Sequence, residues 1–213
     1  MSDDPIHSIM LVDDHPLMRR GIRQLLELEA DFLIVGEASN GEEALHTVGE
    51  LQPDLILLDN NMPQLNGIET LKRLRQDGYR GIILLFTVSD AEHEVRDAMR
   101  HGADGYLLKD MEPNLLITQI REALHGVIVV SPTLTRVLAQ ALRTPTPTQE
   151  FELTDRERQV LKSIAGGNSN KMIAQKLGIT EGTVKVHVKN LLHKLGLRSR
   201  VEAAVWALEH MKR

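Results

Sequence analysis

Asp13 and Asp14 stand side by side after one apolar run, and Asp59 follows another. Thr87 and Lys109 close two more such runs. Three carboxylates, a hydroxyl and an ammonium are the parts of a phosphoryl-transfer site. One Asp can act as the nucleophile, a cation and Lys109 can neutralise phosphoryl oxygens, and Thr87 can donate a hydrogen bond. Carboxylates brought together must be relieved by protonation or by a cation. A cluster of oxygen ligands without His or Cys favours a hard ion such as Mg²⁺. A single Asp after a strand is more often a helix cap or a solvated turn. Five polar groups after four apolar runs make that bland reading the minor one.

The elements that would hold these groups can be read from the pattern. Apolar runs at 8–12, 32–35, 55–58, 82–86 and 106–108 are short and aliphatic. Between them lie helical spacings such as Leu17, Ile22, Leu25, Leu26 and Ile68, Leu71, Leu74. Strands alternating with helices imply a doubly wound α/β domain with a parallel sheet buried on both faces. Chemistry in such a sheet gathers at the carboxyl ends of the strands, where the five groups fall. Ser39 to Glu42 has capping-box spacing, and Pro113 sits where a last helix would begin. A further short helix is expected over 131–143. It is followed by a tether, Thr144-Pro145-Thr146-Pro147-Thr148-Gln149-Glu150, that no helix can continue through.

Beyond the tether the strand signal vanishes. Thr154-x-x-Glu157 and Ser199-x-x-Glu202 have capping-box spacing, and helices are expected at about 155–166, 170–177, 181–195 and 200–210. Val184, Val188, Leu191 and Leu195 make one apolar face of the third of these, while Lys185 and Lys189 point elsewhere beside Val186. Helix, glycine-containing turn and basic amphipathic helix form the pattern of a helix-turn-helix DNA reader. Two lysines alone would read as a solvated face. Here they belong to a module that is itself basic.

The charge divides along the same line. The net charge of the 213-residue chain is -5, but residues 1–143 carry 13 Lys+Arg against 23 Asp+Glu, and residues 144–213 carry 12 against 7. An acidic part and a basic part suggest two domains, one of which meets a polyanion. There is no cysteine, which removes disulfides, thiol nucleophiles and Cys-ligated zinc. Aromatic residues at 3% are too few for single-strand stacking platforms. No apolar run approaches the roughly 20 residues of a membrane span, and the acidic start lacks the features of a signal peptide. The expectation is a soluble, cytoplasmic protein with no membrane partner.

Leu11-Val12-Asp13-Asp14-His15-Pro16, Leu57-Leu58-Asp59-Asn60-Asn61-Met62-Pro63, Phe86-Thr87 and Gly105-Tyr106-Leu107-Leu108-Lys109 together resemble the receiver domain of bacterial two-component response regulators. The fold that this implies is CheY-like, a doubly wound sheet of five parallel strands in the order 2-1-3-4-5. Leu153-Thr154-Asp155-Arg156-Glu157, Asn170-Lys171-Met172-Ile173-Ala174 and the segment from Thr183 to Lys189 resemble a LuxR-type output domain. The pair resembles the NarL/FixJ family, and within it the nitrate/nitrite-responsive members. The division expected is a receiver over 1–126, a linker helix and tether over 127–150, and a helix-turn-helix domain over 151–213.

The resemblance implies roles. Asp59 is the phosphoacceptor for a sensor histidine kinase. Asp14 and Asp59 bind Mg²⁺ directly, Asp13 partly through water, and Asn61 through its backbone carbonyl. Thr87 closes on the phosphoryl group, Tyr106 swings in behind it, and Lys109 completes the site. Asn60 departs from the leucine usual after the acceptor. Lys185, Val186 and Lys189, with Thr183, face promoter DNA, and Lys171 holds phosphate. The last helix forms a DNA-bound homodimer, with RNA polymerase as a further partner. The unphosphorylated receiver hides the recognition helix until phosphorylation releases it. Two rivals use the same sequence: an aspartate-nucleophile phosphotransferase or phosphatase, and a ligand-sensing LuxR-type regulator. Asn61, where the first would want a second carboxylate, and the few aromatics count against them.

Overall fold

The computed structural model describes residues 5–130, 153–197 and 199–211. Six parallel strands, β1 (His7–Val12), β2 (Phe32–Ala38), β3 (Leu55–Leu58), β4 (Ile82–Thr87), β5 (Gly105–Leu108) and β6 (Val129–Val130), form one sheet in the order β2-β1-β3-β4-β5-β6. Helices α1 (Pro16–Leu26), α2 (Gly41–Leu51), α3 (Gly67–Gln76), α4 (Glu92–Arg100) and α5 (Pro113–Leu124) connect them. The strands alternate between two apolar clusters. Met10, Val12, Ile56, Leu58, Ile83 and Leu85 meet α2, α3 and α4 on one face. Ile9, Leu11, Leu55, Leu57, Leu84 and Phe86 meet α1 and α5 on the other. Each fully buried side chain of this kind contributes roughly 1.5–3 kcal/mol, so the alternation fixes both register and faces.

Two details differ from the pattern reading. The sheet continues past the five expected strands into β6, which pairs with β5 through Gly105 and Tyr106. Two residues are too short a run to show alternation. The amino cap of α2 is Asn40, whose side chain accepts from the Glu43 N–H, while Ser39 donates through N and Oγ to Glu43 Oε2 at 2.7 and 2.8 Å. The capping pair is therefore shifted by one from Ser39 and Glu42. The helix expected over 131–143 and the tether lie outside the described residues.

The second part is all helical: α6 (Asp155–Ala165), α7 (Asn170–Leu177), α8 (Glu181–Leu195) and α9 (Arg200–His210). Thr154 and Glu157 make the reciprocal capping box, and Ser169, Thr180 and Ser199 cap the next three helices. Gly178 (φ 65) and Gly196 (φ 64) end α7 and α8 in the left-handed conformation that glycine adopts without strain. Val184, Leu191 and Leu195 of α8 join Val160, Ile164, Ile173 and Ala203 in a separate core. No helix among the described residues is long and apolar enough to cross a membrane.

Candidate phosphoacceptor site and nucleic-acid interface

Register brings the acidic site together. Val12 lies beside Leu58 and Leu58 beside Leu85, while β4 runs two residues further to Thr87, which lies beside Leu108, so β1, β3, β4 and β5 end at one edge within two residues of one another. The Asp59 N–H donates to Val12 O at 2.8 Å, and the Lys109 N–H to Thr87 O at 2.9 Å. The residues that follow these strands therefore meet at one edge. Arg19 of α1 donates to Asp13 O and to Glu37, tying the first of these loops down.

Lys109 Nζ lies 2.7 Å from Asp13 Oδ2 and 2.8 Å from Asp59 Oδ2, with all three side chains no more than 6% exposed. These contacts have the distance of an ion pair but not the directionality of a hydrogen bond, and both carboxylate oxygens lack any other partner. Burial works to lower the pKa of Lys109, but the Asp13 and Asp59 carboxylates outweigh it and hold the ammonium above its usual range. Asp14 Oδ1 is also buried without a hydrogen bond. Three carboxylates thus converge with spare lone pairs and one ammonium for compensation. That donor set fits a hard divalent cation, with Asp13, Asp14 and Asp59 as the residues that would hold it.

The cluster is not free of histidine. His15 Nδ1 stands 2.8 Å from Asp14 Oδ1 and 3.4 Å from Asp13 Oδ1, and Asp13, Asp14, His15 and Asp59 form the metal-competent group among the described residues. Adjacency to Asp14 was the available signal. His15 remains 67% exposed, at the mouth of the site. The Asn61 N–H donates to Asp59 Oδ1 at 3.2 Å, while the Asn61 side chain is exposed. Thr87 is buried and its Oγ1 accepts from the Ser89 N–H at 3.3 Å. Tyr106 is fully buried, and its hydroxyl donates to Ser89 O at 2.9 Å. Burial, then the Glu94 carboxylate, push the Tyr106 pKa up. Gly67 is required beside this site, since a Cβ there would stand 2.2 Å from Asp59 O.

At the opposite edge the receiver meets the helical module. His7, Asp54, Arg80 and Asp104 from the strand-starting side share a cavity of about 540 Å³ with Lys185, Lys189 and Arg200. The Asn170 N–H donates to His125 O at 2.9 Å. Gly126, at φ 78, leaves no room for a Cβ, which would stand 2.8 Å from the Asn170 amide. Arg200 donates to Asn170 Oδ1 and to Asn168 O; burial pulls its pKa down to about 10 and Asp104 pulls it back up, so it is charged at neutral pH. His7 has its pKa lowered, by burial first and then by Lys185. Val201 of α9 extends into the receiver cluster of Val95, Ala98, Met99 and Ala103. The residues expected at DNA, Lys171, Thr183, Lys185, Val186 (57% exposed) and Lys189, are all exposed, and Lys185 and Lys189 of α8 also line this inter-domain cavity. The receiver thus stands beside Lys185 and Lys189 in this arrangement.

Residues 9–121 match the family model described as response regulator receiver domain, and residues 152–207 match that of bacterial regulatory proteins, luxR family. The nitrate/nitrite response regulator protein NarL of Escherichia coli (strain K12) is 53% identical over 209 residues, 97% of each chain. The nitrate/nitrite response regulator protein NarP of the same strain is 46% identical over 202 residues, 94% of each chain. The crystal structure of response regulator ChrA, from a heme-sensing two-component system, superposes with a TM-score of 0.53 at 32% identity, covering 97% of this chain and 98% of that one.

Proposed function

Because the chain belongs to the two-component response regulators that join a receiver to a LuxR-type DNA-binding domain, we propose that phosphorylation of Asp59 releases α8 to bind promoter DNA, in response to nitrate or nitrite. The observation that carries the acceptor assignment is the buried Asp59 carboxylate, paired with Lys109 and beside Asp13 and Asp14 at the carboxyl edge of the sheet. The signal assignment rests on the names borne by the relatives at 53% and 46% identity.

An Asp59 oxygen attacks the phosphorus of a phosphohistidine on a sensor kinase; the O–P bond forms as the N–P bond breaks, and the imidazole leaves. Asp13, Asp14 and Asp59 would hold a Mg²⁺ ion, which would supply charge neutralisation for the phosphoryl oxygens. Lys109, already between Asp13 and Asp59, turns its ammonium to a phosphoryl oxygen. Thr87 Oγ1, bonded through the Ser89 N–H, moves to donate to another, and the Ser89 carbonyl draws Tyr106 with it. The new charge biases a two-state contact toward release.

Release separates Lys185 and Lys189 from the cavity they share with His7, Asp54 and Asp104. Lys185, Val186 and Lys189 then reach the major groove, with Thr183 and Lys171 toward phosphates. Once α9 is freed from α4, it pairs with the same helix of a second copy. In this reading the protein works in the cytoplasm, where kinase output and promoter DNA meet, and it turns over no small substrate. Asp59→Asn should abolish acetyl-phosphate-stimulated DNA binding; unchanged stimulation would refute the proposal. Genome-wide occupancy that appears with nitrate near anaerobic respiration genes tests the signal assignment.

A further inference from the structure

Asn60, directly after Asp59, is buried, and both ends of its carboxamide are used. Oδ1 accepts from the Ile68 N–H at 3.1 Å, and Nδ2 donates to Glu94 Oε2 at 2.9 Å. Its carbonyl accepts from the N–H groups of Met62 and Gly67. The acceptor loop is therefore stiff, and its one side-chain link to α4 among the described residues is the bond to Glu94. Glu94 lies in the first turn of α4, a helix whose amino cap, Ala91, offers no side-chain acceptor. The same oxygen, Glu94 Oε2, stands 3.5 Å from the Tyr106 hydroxyl. That hydroxyl donates to Ser89 O, and the Ser89 N–H donates to Thr87 Oγ1. One carboxylate oxygen thus joins the residue beside the acceptor, the start of α4, and the pair Thr87 and Tyr106. Downstream, α4 touches α9, and the buried face of α4 shares an apolar cluster with Val201.

We propose that Glu94 is a positioning residue that couples the state of Asp59 to α4 and Tyr106, through one oxygen that accepts from Asn60 and faces the Tyr106 hydroxyl. This rests on the phosphorylation switch proposed above. The role needs an acceptor oxygen, not a charge. Glutamine keeps the oxygen and alanine removes it, so the two variants separate coupling from packing. Glu94 takes no part in the chemistry at Asp59, so the extent of phosphorylation should be the same in both.

The test uses the full chain with acetyl phosphate as the donor. Phosphate-affinity gels measure phosphorylation. Inter-domain opening is read from the distance between spin labels on Arg80→Cys and Lys189→Cys, in a chain that has no other cysteine. The ring carbon signals of labelled tyrosine follow Tyr106, with Tyr79 as the one other tyrosine. Glu94→Ala is expected to be phosphorylated as the wild type, to open at least about fivefold less on phosphorylation, and to lose the phosphorylation-linked change in the Tyr106 signal. Glu94→Gln should restore opening. Asn60→Ala should weaken opening as Glu94→Ala does, and the double variant should lose little more than either alone. Full opening of phosphorylated Glu94→Ala would overturn the proposal, as would loss of phosphorylation in that variant or failure of glutamine to rescue. An Asp59→Asn control that opens with acetyl phosphate would instead refute the phosphorylation switch itself.

Discussion

Lys109→Met removes the ammonium that, among the described residues, meets two buried carboxylates, while keeping most of the side-chain volume. Asp13 and Asp59 are then left 5% and 2% exposed, with Oδ2 atoms that have no other partner. Taking one partner from a buried ion pair costs about 3–5 kcal/mol, a large share of the about 5–15 kcal/mol that holds a domain together. At roughly 4 °C per kcal/mol for a domain near this size, the midpoint should fall by roughly 12–20 °C. Lys109 has a raised pKa in the folded protein, so its stabilisation is fully present below the unfolded value of about 10.5 and is lost as pH rises through the folded value. The wild-type contribution is therefore constant across neutral pH. Mg²⁺ should restore part of the variant's loss, because a cation at the same carboxylates replaces the missing charge. The assay is urea unfolding of the full chain followed by circular dichroism, with and without Mg²⁺. A loss below about 1 kcal/mol at pH 7 would mean that Lys109 does not neutralise this site.

Other consequences are separable from the first. Gly126→Ala should raise DNA binding without phosphorylation, measured by fluorescence anisotropy, because its Cβ meets Asn170 at the seam. Glu157 has a lowered pKa: burial raises it, but Lys194 and the Thr154 N–H and hydroxyl outweigh that. Its contribution to α6 is thus present above about pH 4.5 and is lost as pH falls through the folded value. Thr154→Ala should cost about 1 kcal/mol by removing the cap, read as a shift in the urea midpoint by Trp206 fluorescence. The lowered pKa of His7 places its charging below about pH 6.5, against Lys185 and His125 and with Asp54 and Asp31 opposing. The closed arrangement should loosen as pH falls through that window, and His7→Gln should remove the dependence in small-angle scattering. DNA binding by residues 150–213 should weaken with salt, and Lys189→Ala should reduce the log–log slope by about 1.

Much of the site was legible because parallel strands end at one edge. Once 8–12, 55–58, 82–86 and 106–108 are read as neighbouring strands, Asp13, Asp59, Thr87 and Lys109 have nowhere else to gather. The helices of the second part were legible from caps and glycines, since Thr154 with Glu157 and the turns at Gly178 and Gly196 act within a few residues. What depended on packing between distant segments was not. β6 is two residues whose pairing with β5 exists only in three dimensions. The bond from Asn60 to Glu94 spans 34 positions, and neither residue type announces a partner. The seam at Gly126 and Asn170 joins two modules whose separate patterns say nothing about where they touch. The charge contrast named two modules but not their contacts, which pair Asn170 with His125 and set Asp54 and Asp104 beside Lys185, Lys189 and Arg200 in the shared cavity.

The central claim is that modification of Asp59 uncovers α8. It is tested most directly by the distance between spin labels at Arg80→Cys and Lys189→Cys, which line one cavity in the closed arrangement. The expected result is a short, narrow distribution in the unphosphorylated chain that becomes long and broad with acetyl phosphate, and no change in Asp59→Asn. A distribution that stays short in fully phosphorylated protein would contradict it.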